Sequence, residues 1–353
     1  MKKSALFAAS AAVMTLALSA CGGNGGGSAA GDSRNQIRAV GSSTVYPFAT
    51  AVAEQFVAST PGTKSPIVES TGTGAGMKLF CGGIGTRFPD IENASRRMKK
   101  KEFEQCVSNG VKDIVEIQIG VDGLAFANAK DGPAYAFTPA QIYRALAQNP
   151  FGKGKNTAQK WSDIDPSLPA TPISVYGPPT TSGTRDSLAE LILMKGCESD
   201  PAMKALKDKN EDEFKKICTK VREDGKYIEA GENDNLIVQK LAANPQAVGV
   251  FGYSYLEENL GKLRDVPLNG IQATYDNVAT GTYPGARPLY IYVKKAHMQA
   301  IPGLQAYLDT FAKMWDPQGP LAKRGMVAAT EAVRKANAEA VKTLPLLDGA
   351  SLK

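Results

Sequence analysis

Apolar positions along the chain fall into two rhythms. Strand-like runs, rich in β-branched and aromatic residues, stand at 36–41, 65–70, 113–128, 172–177, 247–253 and 287–293. Between them the spacing lengthens to three or four. Phe48, Val52 and Phe56 recur every four residues until "TPG" (60–62), which predicts a helix that stops there. Pro47 falls in the first turn of that helix, where the backbone N–H is unpaired in any case. Leu188, Leu191 and Ile192 form a second helical face ending at Lys195 and Gly196, and "DNLIVQKLAANP" (234–245) reads the same way. Strands alternating with helices predict an α/β fold with largely parallel sheets. The stretch from Gln36 to Lys353 exceeds the usual size of a single core, so two lobes are expected.

The first 20 residues break this pattern. Lys2 and Lys3 precede "ALFAASAAVMTLALSA", which is too short for a membrane span and reads as an export signal. It ends in "LSAC", small residues directly before Cys21, and this resembles the lipobox of bacterial lipoproteins. That likeness implies a lipid on Cys21, which would become the mature N-terminus. "GGNGGGSAAGDS" (22–33) is then a flexible tether, taken to span 21–36 with its cysteine.

Charge and cysteine content narrow the picture. The net charge is +6, and removing Lys2 and Lys3 leaves a mildly basic mature chain of +4. Basic residues are scattered among acids except in "SRRMKKK" (95–101). That run lacks interleaved aromatics and reads as a solvated face, so no nucleic-acid partner is expected. Cys81, Cys106, Cys197 and Cys218 follow neither a CxxC nor a Cys/His pattern, and His297 is the only histidine, so no metal or cofactor is expected. Four cysteines allow three pairings. The local one, Cys81 with Cys106 and Cys197 with Cys218, closes the shortest loops and suits an oxidising compartment.

Three junctions share one composition: "GSSTVYPF" (41–48), "ESTGTGAGMK" (69–78) and "PPTTSGTRD" (178–186). Capping alone would explain any one of them. A helix start also offers unpaired N–H groups and a partial positive charge, glycine admits close approach, and hydroxyls donate without adding charge. Two junctions have an arginine nearby, Arg96 in "NASRRMK" and Arg185 in "SGTRD". The set points to a small tetrahedral oxyanion.

"GSSTVYPF", "STGTGAGMK", "DIENASRR", "GVDGLAFAN", "SGTRDSL" and "GENDNLIVQKL…AVGVFGYSY", in this order and spacing, resemble the periplasmic phosphate-binding proteins of bacterial phosphate ABC transporters. The resemblance runs from about Ile37 to the last helices. It implies a type II periplasmic binding fold, two α/β lobes joined by crossovers with phosphate between them and no metal. Lobe I is expected at 37–127 and 254–353, lobe II at 128–253. Carried over by position, Ser43 and Thr44 match first-loop ligands, Thr73 the second-loop hydroxyl, and Ser182, Gly183 and Thr184 the triplet opening a lobe II helix. Where some members carry an aspartate that accepts the phosphate proton, this chain has Arg96. The arginine that those members place four residues before the triplet's serine is absent, with Pro178 in its place. Arg185 is the expected replacement. Candidates for the proton acceptor are Asp122, Asp186 and Asp234; Asp186 pairing with Arg185 and Asp122 serving the fold are the structural alternatives.

The expectation is a monomeric, lipid-anchored receptor in the periplasm that delivers phosphate to an inner-membrane ABC permease. Binding of another oxyanion, sulfate or molybdate, is the alternative. A phosphatase is disfavoured, because "TSGTR" is not a GxSxG elbow and His297, placed on an exposed surface, offers Ser182 no base.

Overall fold

A computed structural model describes residues 34–231 and 234–353; the export signal, Cys21 and the Gly/Ser stretch to Ser33 lie outside the described residues. The strands are β1 (Arg38–Gly41), β2 (Ile67–Ser70), β3 (Ile91–Ala94), β4 (Ile114–Ala129), β5 (Val175–Gly177), β6 (Tyr227–Glu229), β7 (Val248–Gly252), β8 (Leu263–Asp265) and β9 (Ala286–Lys294). They lie in the order β2-β1-β3-β9-β4-β7-β5-β6, with β8 also paired to β4.

The pairing is mixed, which corrects the expectation of largely parallel sheets. β1 is parallel to β2 and β3, and β5 is parallel to β6 and β7. The two strands in the middle, β4 and β9, are antiparallel to each other and to their outer neighbours. They carry the chain across the molecule in opposite directions, one outward and one returning, so they meet antiparallel. β4 pairs β9 from Ile114 to Gly123 and β7 from Leu124 to Ala127. It is buried along nearly all its length, which is why it reads as an unbroken apolar run.

Two sets of core contacts flank this waist. On one side α1 (Tyr46–Ser59) lays Phe48, Val52 and Phe56 against Ile91, Ile117 and Ile291, the period-four face read from sequence. The opposite face of these strands is covered by α2 (Thr73–Phe80) and α3 (Lys100–Ser108), through Met77, Phe80 and Cys106. The other core joins Leu124, Phe126, Ile142, Trp161, Leu188, Ile192, Ile237 and Val250. Leu256, Leu263, Val266 and Val278 belong to that core too, because β8 pairs the far half of β4.

Both expected disulfides are present, Cys81 with Cys106 and Cys197 with Cys218. His297 is buried, not exposed. The turn after β9 folds it onto Asp90, whose Oδ1 lies 2.7 Å from Nδ1, while Nε2 accepts the Gly85 N–H at 3.2 Å.

Candidate functional site

The first junction is not a cap. Ser42 Oγ accepts the N–H groups of Thr44 (3.1 Å) and Val45 (3.4 Å), and α1 starts after Val45 with no side-chain cap. Ser43 and Thr44 thus keep their hydroxyls for other partners. Ser43 donates to the Asp186 carboxylate, and Thr44 Oγ1 donates to the Gly183 carbonyl at 3.3 Å. These bonds join the α1 side of the molecule directly to the third junction.

That third junction does begin with a cap. Ser182 Oγ accepts the Thr184 N–H at 3.2 Å and opens a helix over 183–197, with π geometry across Leu188–Leu193. Gly183 faces Thr44 so closely that a Cβ there would stand 3.0 Å from the Thr44 Cα. One turn on, Ser187 Oγ donates its proton toward Asp122 Oδ2 at 2.6 Å, with the Gly183 carbonyl also within reach at 3.0 Å.

Arg287 joins these groups. It opens β9 directly across from Asp122 on β4. Its Nε donates to Asp122 Oδ2 at 3.1 Å, and Nη1 pairs with Glu190. Nη2 donates to Thr44 Oγ1 (2.8 Å) and Ser187 Oγ (2.7 Å). The guanidinium is buried, and one cation faces the carboxylates of Asp122 and Glu190 with that of Asp186 bonded close by. Arg287, Ser187 and Glu190 escaped the sequence reading. The available signal was one arginine at the head of an otherwise apolar strand, without meaning until the register with β4 is known.

Other sequence-chosen residues stand apart from this cluster. Thr73 begins α2 without acting as a side-chain cap; its Oγ1 lies 3.0 Å from Ser95 Oγ and accepts the Ser95 N–H at 3.1 Å. Arg96 forks onto Glu102 at 2.6 and 2.8 Å. Burial opposes its charge, but Glu102, with the fields of Glu190 and Glu211, outweighs that and holds it protonated. Arg185 lies with its guanidinium 4.5 Å over the Tyr227 ring, donates to the Pro178 carbonyl at 3.3 Å and comes within 3.7 Å of Glu229. Asp186 therefore does not pair with Arg185. Asp234 accepts the Gly252 N–H at 3.3 Å, and burial pushes its carboxyl up to about 6.

The basic run 95–101 is not simply a solvated face. Met98 is buried, Arg97 pairs with Glu116, and Lys99 reaches Glu211 at 2.9 Å. Burial would raise the Glu211 carboxyl, but Lys99 and Lys215 hold it down at about 2. Like Ser43 with Asp186, 143 positions apart, the Lys99 pair joins residues distant in sequence, 112 positions apart. The run supplies partners to acids because its alternation places side chains on different sides of the chain.

Chemically, the Arg287 cluster combines a buried cation, several hydroxyl donors and carboxylate acceptors. That combination suits a small oxyanion still carrying a proton: hydroxyls and guanidinium fill its lone pairs, and a carboxylate receives its O–H. Among the described residues no group of His, Cys, Asp and Glu could hold a metal ion.

The family model for the PBP superfamily domain matches residues 26–313. The chain is 33% identical over 315 residues to protein SphX of Synechococcus elongatus, covering 85% of this chain and 82% of that protein. It is 30% identical over 315 residues to the phosphate-binding protein PstS of Staphylococcus saprophyticus, covering 87% and 85% respectively. The crystal structure of a possible phosphate binding protein from Planctomyces limnophilus superposes with a TM-score of 0.70 at 27% identity, over 87% of this chain and 97% of that one.

Proposed function

The chain belongs to the PBP superfamily, among its phosphate-binding proteins, and from that premise we propose that it captures inorganic phosphate between two lobes and delivers it to an ABC-type phosphate permease. The observation that carries this reading is the meeting of the Ser43/Thr44 loop with the start of the 183–197 helix around buried Arg287. Phosphate entering there takes over donors now bonded to protein carboxylates and carbonyls. Ser43, Thr44, Ser187 and Arg287 supply the central donors. Thr73, Arg96, Ser182, Gly183, Thr184 and Arg185 belong to the loops that border them. Asp122 and Asp186 are the proton acceptors of choice, since both are bonded into the cluster while Asp234 binds Gly252.

An acceptor carboxylate also disfavours sulfate. Sulfate has no proton to offer at neutral pH, so a lone pair is left facing a carboxylate, a loss of about 1–3 kcal/mol or more. The sole histidine is buried against Asp90, so no imidazole activates Ser182. The export signal and Cys21 support a periplasmic, lipid-anchored receptor. Calorimetry on the detergent-solubilised full chain tests the reading: heat with phosphate and arsenate, and none with sulfate, is expected. Preference for sulfate or turnover of a phosphomonoester would refute it.

A further inference from the structure

β3 carries an acid in an apolar setting. Glu92 is fully buried, and neither oxygen of its carboxyl has a hydrogen-bond partner in the protein. The carboxyl fills space that two β-carbons would need. A Cβ on Gly41 would lie 2.8 Å from Oε1, and one on Gly76 in α2 would overlap Oε2. Gly41 has φ of 130°, a conformation that side-chain-bearing residues avoid, and its carbonyl accepts the N–H groups of Thr71 and Gly72, both at 2.8 Å. Gly41 leads into Ser43 and Thr44, while Gly72 and Gly76 bracket Thr73. The carboxyl thus stands between Gly41, which leads into the Ser43/Thr44 loop, and Gly76, which follows Thr73.

We propose that Glu92 is a positioning residue: its carboxyl sets the separation between the Ser43/Thr44 loop and the Thr73 loop, and so tunes anion affinity without touching the anion. The inference rests on the phosphate-binding reading. A close-packed interior transmits such a spacing, because neither loop can shift without opening a void or a clash. Burial pushes the Glu92 carboxyl well above its usual range; Glu102 pushes the same way and Arg96 opposes. Those two groups are ion-paired with each other. From β9 the facing group is Tyr292, in register with Glu92 and with its hydroxyl held by Glu116. From β1 and α2 the facing residues are Gly41 and Gly76, which do not titrate. Burial accordingly favours the neutral, protonated form of Glu92. Ionising it leaves a charge without a partner between two backbones, which must part to admit water.

The test compares the full-length parent in detergent with Glu92→Gln, which keeps the volume and cannot ionise, and Glu92→Ala, which removes the spacer. Amide hydrogen exchange at 41–44 and 71–76 is read beside phosphate calorimetry, from about pH 5 to about pH 10. Changes in the anion's own protonation cancel, since all variants meet the same phosphate. The parent and Glu92→Gln are expected to agree in acid. In alkali the parent's loops exchange faster and its phosphate Kd rises about tenfold above that of Glu92→Gln. Glu92→Ala is expected to bind about tenfold more weakly than Glu92→Gln at every pH. Identical exchange and identical Kd for the parent and both variants at every pH overturn the inference and leave phosphate binding intact. If the parent binds no phosphate, the functional reading fails, and loop exchange alone decides: faster in the parent than in Glu92→Gln in alkali supports the spacer, and equal rates overturn it.

Discussion

Removing the Arg287 guanidinium should separate the cluster's two roles. Arg287→Gln strips the cation from Asp122, Glu190, Thr44 and Ser187 in one step. For stability the Asp122 pair matters most, since Arg287 is 5% and Asp122 19% exposed; the Glu190 carboxylate, at 44%, is screened by water. Breaking a buried pair by removing one partner costs about 3–5 kcal/mol, and partial exposure of Asp122 puts the expectation near 3 kcal/mol. For binding, each charged hydrogen bond to the anion is worth about 1.5–3 kcal/mol. Loss of a two-pronged donor should therefore weaken phosphate binding by about 2–4 kcal/mol, roughly 30- to 1,000-fold. Arg287→Lys keeps the charge and loses the fork, and should fall between parent and Gln.

Arg185→Ala is the control. Its stack on Tyr227 is worth about 1 kcal/mol of stability, and affinity should change only a few-fold. Thermal melts and phosphate calorimetry on each folded variant give the two quantities separately. If Arg287→Gln binds like the parent while Arg185→Ala loses more than about 30-fold, the anion sits against Arg185 and the Arg287 cluster is only a clasp between the two sides.

Other expectations concern contact, titration and anchoring. Gly183→Ala drives a methyl toward the Thr44 backbone, 3.0 Å from its Cα, and should weaken phosphate binding by about tenfold with little loss of stability; unchanged affinity would mean that the two loops need not meet. Lys294, bonded to the Gly83 carbonyl at 2.7 Å, has its ammonium pushed down to about 7 by burial, against the pull of Asp90. An unfolded lysine keeps its proton to about pH 10.4, so between these values the unfolded chain binds more protons and stability rises with pH. Lys294→Met should remove that rise, and a melting difference from the parent that is constant across this window would contradict the assignment. Cys21→Ala should move the protein from the membrane to the soluble fraction, and unchanged fractionation would remove the lipid from the account.

What the sequence made legible and what it hid follow from how far each feature depends on the fold. The period-four face of α1 and the long apolar β4 were readable because their signals are local and repeated. β3, β6 and β8 are short, and each carries an acid that interrupts the apolar run by which the equally short β1 and β5 were readable. The junctions were readable as hydroxyl-rich turns, but not which charge each would use. Arg185 and Asp186 show why. Consecutive residues on a helix point about 100° apart, so one motif sends its cation to Tyr227 and its carboxylate to Ser43. The nearest arginine in sequence is therefore turned away from the Ser43/Thr44 contact, and the cation that fills it arrives from β9. That residue is invisible locally because its partner Asp122 is 165 positions away, brought opposite it only by antiparallel pairing at the waist. Glu92 is hidden by a subtler dependence: its role is set by the missing side chains of Gly41 and Gly76, which no reading of Glu92 itself reveals. A charge next to a binding motif is thus weak evidence for a charge in the site, whereas a buried charge at the crossing of two long strands touches both halves of the molecule by construction.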